Sequence, residues 1–201
     1  MAKTVSVPYL QLQDIWKEAE TVRNKCWGAS VPVNVDVISE KCFDLIFIPI
    51  PGMTKWVNSE AYITGNLKEM HFDQLANQVR LRFSIAHELG HAVLHTTQIK
   101  QLRSGTFDEW KEIIEDLPDG VWGRAEFQAR EFAGRLLVPF EILMQEILKL
   151  KPKIDKAKTI PNIEQDALAQ YVASAVCRQF DVSSQVIVAR IKSEAIDLLS
   201  V

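Results

Sequence analysis

Apolar residues at Leu12, Ile15, Trp16, Ala19 and Val22 recur with the spacing of one helical face, and Gly28 follows as a stop. A short segment, Asp36–Cys42, holds one or two further helical turns. The pattern then changes. DLIFIP over 44–49 is a continuous apolar run, which predicts a buried strand ended by Pro49 and Pro51. EAYIT over 60–64 predicts a second strand, Gly65-Asn66 a turn, and 68–73 its hairpin partner.

Helices fill the rest. The strongest runs over 79–96. Thr106 to Glu109 forms a capping box that opens a short helix, FDEWKEIIEDL, stopped at Pro118. A helix over 125–138 ends at Pro139 and resumes over 140–150, since proline suits a first turn. The lysine- and proline-rich stretch 151–161 reads as a linker. Asn162 then caps a helix to about residue 180, and Val182-Ser183 opens a last one to about residue 199. The expected fold class is α+β: a small twisted β-sheet packed on a mainly helical core, with a C-terminal helix-turn-helix-like pair. Residues 1–158 form the main domain, and 159–201 the pair packed on it.

Composition narrows the partners. The 201 residues are 47% hydrophobic and 24% charged, with a net charge of −3. That balance suits a globular domain and gives no long-range pull toward nucleic acid or an acidic membrane. Cys26, Cys42 and Cys177 are scattered, odd in number and without CxxC spacing, which argues against a disulfide framework or a thiolate metal site. Cys26 and Cys177 read as buried small hydrophobes. Residues 1–10 hold no apolar core for a signal peptide, and the run Leu45–Ile50 is too short to cross a bilayer. A cytoplasmic location is expected.

The chemistry lies in FSIAHELGHAVLH, residues 83–95. Four residues make about one helical turn, so His87 and His91 stand one above the other and can reach one zinc ion. Glu88 leans from the same side, placed to act on water as a base. Ile85, Ala86, Leu89, Ala92 and Val93 form an apolar stripe on the opposite face, which leaves the two histidines no packing role.

A catalytic zinc needs a third protein ligand and an open position. His95 stands roughly 12 Å along the axis from His87, too far to share the ion, and reads as structural or as support for a ligand. Glu109, Glu112 and Glu115 read as a solvated acidic face. Glu126 is the better candidate, because Ala129 and Ala133 share its face and let that helix approach closely. Glu131 is offset from the face. No oxyanion donor is assigned, and His71 reads as an ordinary histidine. The five tryptophans, Trp16, Trp27, Trp56, Trp110 and Trp122, lack common spacing and read as packing anchors.

RFSIAHELGHAVLH (82–95), followed by EFQAREFAGRLLVP (126–139), resembles the ImmA/IrrE family of metallopeptidases, and VCRQFDVSSQVIVARI (176–191) is similar to that family's ending. The likeness extends loosely to the first helix and VPVNVDVI. The resemblance implies a zincin-like core, Zn2+ held by His87, His91 and Glu126, and Glu88 as catalytic base. It also implies a protein substrate, a helix-turn-helix transcriptional repressor whose cleavage derepresses genes. The chain departs from the pattern at Arg130, where a small Asn or Asp is common, at Gln128, which replaces a frequent Glu, and in a longer segment 65–77.

Two other readings compete with a zinc endopeptidase. One is a non-catalytic zincin-like module that binds a regulator protein without cutting it. The other is DNA binding by the last two helices. Residues 165–199 carry Arg178, Arg190 and Lys192 against Asp166, Asp181, Glu194 and Asp197, so a phosphate-binding face is lacking and direct nucleic-acid binding is not expected.

Overall fold

The computed structural model describes residues 6–57, 59–102 and 119–201. In chain order these form α1 (Leu12–Cys26), α2 (Val35–Phe43), β1 (Ile46–Pro49), α3 (Met53–Val57), β2 (Ala61–Ile63), β3 (Glu69–Phe72), α4 (Gln78–Leu94), α5 (Thr96–Leu102), α6 (Asp119–Leu137), α7 (Phe140–Lys149), α8 (Lys151–Lys158), α9 (Gln165–Phe180) and α10 (Ser184–Ser193). The fold is α+β, mostly helical with a small mixed sheet in the order β1-β3-β2. The pair β1–β3 is parallel and β2–β3 antiparallel. The acidic helix expected over 107–117, with Glu109, Glu112, Glu115 and Trp110, lies outside the described residues.

Helix α4 is the centre of the arrangement. Asn77 starts it, its side-chain oxygen accepting from the amides of Val79 and Arg80 at 3.0 and 3.3 Å. Those are two of the donors a helix start leaves unpaired. One side of α4 lies on β2 and the other on α6. Leu81, Ile85, Ala86 and Leu89 are buried with Phe132, Leu136 and Leu143 in one continuous core. Arg82 donates to the Val33 carbonyl at 2.5 Å and pairs with Asp181, tying α4 to the start of α2 and the end of α9.

Asp73 joins the sheet to α3. Its carboxylate accepts from the amides of Gly52 and Thr54 at 2.9 Å and of Leu75 at 3.0 Å. Those backbone bonds, Thr54's first, lower its pKa to about 2.

A charged cluster joins three helices. Trp16 of α1 donates to Glu131 of α6 at 3.1 Å, and its ring lies 5.4 and 5.2 Å from the guanidinium carbons of Arg135 and Arg190. Arg190 of α10 pairs with Glu131 at 3.4 Å and with Glu194. Arg135 pairs with Glu20 and Glu194. Ser193 donates to Glu131 at 2.6 Å. Burial pulls the Arg190 pKa below its ordinary value.

Several expectations need correction. Strand β1 is not buried: it pairs at one edge of the sheet, and Ile46 is 64% exposed. Residues 151–158 are helix, not linker. Pro152 sits in the first turn, where its missing N–H costs nothing, and Ile154 is buried as an anchor. Asn162 does not cap α9; it takes a left-handed conformation, and Glu164 flanks the helix start. The last helix stops at Ser193, with Ala195 at φ 51° turning the chain.

Cys26 is not a packed thiol but is joined to Cys42 in a disulfide with a Cα separation of 6.0 Å. Gly28, at φ 112°, turns the chain after α1, and α2 carries Cys42 in its last turn. Cys177 is a free, half-buried thiol.

Candidate metal centre

The site is made by α4 and α6. His87 Nε2 lies 3.0 Å from His91 Nε2. From α6, Glu126 places Oε1 3.2 Å from His91 Nε2 and Oε2 3.2 Å from His87 Nε2. A tetrahedral zinc with nitrogen and oxygen ligands at about 2.0–2.1 Å sets neighbouring ligand atoms about 3.3 Å apart. The three observed distances, two of them to different oxygens of the Glu126 carboxylate, are within a few tenths of an ångström of that spacing, so the donor set fits a metal ion in both chemistry and size.

Ligand-type atoms of His87, Glu88 and His91 also lie within 4.8 Å of one another. Of the two carboxylates, Glu126 is the better third donor. Glu88 Oε2 accepts from the Ile63 amide of β2 at 3.0 Å, so a strand already holds it. Glu126 instead straddles the two imidazoles.

Close helix contact makes this possible. A Cβ added at Gly90 would lie 3.0 Å from the Ala129 carbonyl oxygen and 3.2 Å from Phe132 Cβ, so any side chain there would push α4 and α6 apart. Ala129 and Ala133 are fully buried at the same contact. Sequence reasoning found the two alanines and missed Gly90, although a glycine between the motif's Glu and second His is a signal for close approach.

The histidine face is not the open one that periodicity suggested. His91 is 3% exposed and His95 fully buried, because α6 covers the side of α4 opposite the sheet. His95 takes the supporting role expected of it. Its Nδ1 lies 3.1 Å from His91 Nδ1, its Nε2 lies 2.8 Å from Gln128 Oε1, and Gln128 Nε2 donates to the Pro8 carbonyl at 2.9 Å.

This chain has one direction. A carbonyl only accepts, so the Gln128 amide nitrogen faces Pro8 and its oxygen faces His95. Neutral His95 therefore donates from Nε2 and accepts at Nδ1, which assigns the His91 proton to Nδ1. The lone pair of His91 Nε2 then points at His87 and Glu126. Gln128 thus orients the His95–His91 pair.

Arg130 is largely exposed, with Nη2 3.8 Å from Glu126 Oε2. Glu131 belongs to the charged cluster with Trp16 and Arg190. His71 bonds Glu69 on its own strand at 3.1 Å.

Burial lowers the His91 pKa to about 4 against a smaller opposing pull from Glu126, and burial lowers that of His95 as well. Burial alone would raise Glu126, but the imidazoles of His87 and His91, which bond to its carboxylate in their protonated form, hold it well below the usual carboxylate range. These shifts make a prediction for the metal-free protein. The unfolded chain protonates a histidine near 6.5, above the folded value for His91, so stability is full above that pH. It falls toward pH 4 by up to about 3 kcal/mol. Glu126 acts in the same sense at lower pH, its contribution being lost as the carboxyl takes up its proton. Thermal midpoints measured in chelator should drop steadily from pH 6.5 to 4, and a flat profile would contradict a neutral, buried His91.

The Peptidase M78 family model, described as IrrE N-terminal-like domain, matches residues 44–192. No curated protein matches the chain. Among solved structures, a Mycobacterium tuberculosis transcriptional regulator is similar, with a TM-score of 0.54 and 13% identity over 90% of this chain. That likeness is one of fold, and the chain spans 46% of the regulator's length.

Proposed function

The chain belongs to the Peptidase M78 (IrrE N-terminal-like) family, and on that footing we propose that it is a zinc-dependent endopeptidase cleaving a helix-turn-helix transcriptional repressor. The observation that carries the reading is the convergence of His87, His91 and Glu126, from two helices, on one point. These three side chains would hold the zinc.

A zinc ion supplies Lewis acidity at such a site, polarising the scissile carbonyl and lowering the pKa of a water to about 7. The chain's own residues do the rest. Glu88 takes the proton of the attacking water and returns it to the leaving amine. The Ile63 amide fixes Glu88 Oε2, so this base keeps its position while its charge changes. The chain from Pro8 through Gln128 and His95 holds the His91 ring with its Nε2 toward His87 and Glu126.

The substrate class rests on the resemblance of the paired motifs to repressor-cleaving peptidases. Contact with DNA is not part of the proposal. Of the three cations in 165–199, Arg190 is buried in the charged cluster and Lys192 pairs with Asp166 at 2.9 Å.

Metal analysis tests the ligand set. The protein should bind one zinc per chain, and Glu126→Ala or His91→Ala should lose it. Full zinc retention by both variants would end the reading. Gln128→Leu should weaken zinc binding about 10- to 100-fold in competition with a chelator, by freeing the His95–His91 pair. Gln128→Glu keeps an acceptor facing His95 but gives up the donor to Pro8, and should fall between Gln128→Leu and the parent.

A second reading has one observation in its favour. The Arg130 guanidinium beside Glu126 partly neutralises the third ligand, and a module that holds a regulator without cutting it would tolerate this. Zinc-loaded protein that forms a stable complex with the repressor and releases no fragments would support that reading over the peptidase.

A further inference from the structure

Beside the metal centre the two helices part. One face of α4 carries Val79, Phe83 and His87 at successive turns, and one face of α6 carries Glu126, Arg130 and Gly134 in the same way. A cleft of about 490 Å3 lies between them, and Val186 and Ala189 of α10 close its far side. That volume falls within the usual size of a ligand pocket.

The cleft is mostly apolar, and its lining runs up beside the metal ligands without including them. Phe83 is one turn from His87, and Phe127 adjoins Glu126. Phe127 is 52% exposed, a large aromatic surface left in water at the mouth of the site. At Gly134 the missing side chain leaves room for the aliphatic stem of Arg190, whose Cδ would be 2.8 Å from any Cβ there. Of the charged lining residues, Glu131 and Arg190 pair with each other on the buried side, and the others sit at the rim. Arg80 and Glu60 pair with each other, whereas Arg130, two-thirds exposed, faces Glu126, the carboxylate assigned to the metal.

We propose that this cleft is the specificity pocket of the peptidase. It receives a bulky apolar side chain, of the Leu or Phe class, from an extended segment of the substrate protein next to the bond to be cut. Arg130 meets a carboxylate on the neighbouring substrate residue. Helix α10 supplies one wall, so the C-terminal pair takes part in substrate choice without touching the reacting atoms. The inference rests on the proposed metal site, and its test separates the two.

The probes are hydroxamates, which bind a metal through their own head group: acetohydroxamate, with no side chain, and peptide hydroxamates ending in Phe-Glu, Ala-Glu or Phe-Lys. Affinities for the zinc-loaded protein are read by calorimetry. The Phe-Glu compound should bind about thirtyfold more tightly than Ala-Glu, the scale set by burying a benzyl group, and about fivefold more tightly than Phe-Lys. Ala189→Trp, which fills the cleft, should erase the first difference. Arg130→Ala should erase the second. Both variants should still bind acetohydroxamate. Equal affinities across the peptide series, with acetohydroxamate bound, would overturn the pocket and leave the metal site standing. Failure of zinc-loaded protein to bind acetohydroxamate would overturn the metal site and the pocket together.

Discussion

Glu88→Gln is expected to leave a folded, zinc-loaded protein whose cleavage of a repressor is slower by roughly a thousandfold, the scale of a lost general base. The change keeps the shape of the side chain. It also keeps an oxygen able to accept from the Ile63 amide at the place where Oε2 now sits, so the helix and strand have no reason to move. What disappears is the ability to take a proton from water. Zinc content and thermal midpoint should match the parent, while fragment release in a gel or mass-spectrometric assay should vanish. Undiminished cleavage would remove Glu88 from its proposed role. Loss of zinc together with cleavage would mean that Glu88 is a ligand and not a base, and the choice of Glu126 over Glu88 would have to be reversed.

The second large effect is one of stability. Glu131→Leu should destabilise the fold by about 3–5 kcal/mol, the scale for breaking a buried ion pair from one side. Arg190 is 2% exposed and its Nε already lacks a hydrogen-bond partner among the described residues. Removing Glu131 also takes an acceptor from the Trp16 indole and the Ser193 hydroxyl. Replacing Arg190 by leucine in the same chain should restore part of the loss, because the desolvated guanidinium is removed while Glu194 keeps Arg135 as its partner. Urea unfolding of the parent, the single variant and the double variant measures this. A double variant no more stable than the single one would mean that Glu131 acts through the Trp16 and Ser193 bonds.

Some of this architecture was legible from residue spacing and some was not. The strands at 60–64 and 68–73 and the helices over 79–96 and 125–138 announce themselves by local pattern, and each is present, though α6 begins earlier, at Asp119. The His-Glu-x-x-His spacing fixes the relation of His87 to His91, since one helical turn permits little else. Glu126 was reachable because Ala129 and Ala133 marked a face built for close contact, and the structure brings its carboxylate to both imidazoles.

Other features belong to tertiary structure alone. The stripe on α4 correctly found one packed face, but a second packed face cannot be read from a helix whose neighbour lies more than thirty residues away in the chain. That is why the burial of His91 and His95 was missed. Residues 151–158 were hidden because lysines and a proline outweigh a single buried Ile154 in any local reading. The disulfide was discounted on cysteine count, which says nothing of two cysteines that the fold brings together.

The strap formed by residues 6–8 has a consequence of its own. Gln98 donates to the Ser6 carbonyl, Arg124 to that of Val7 and Gln128 to that of Pro8, at 2.8, 2.9 and 2.9 Å. Of these, the Pro8 oxygen dictates which way round the Gln128 amide sits. Trimming the protein past that residue would let the amide rotate, and the imidazole tautomers behind it would lose their fixed sense. A deletion of that kind removes no coordinating group, yet it acts as a lesion of the metal pocket delivered from a distance.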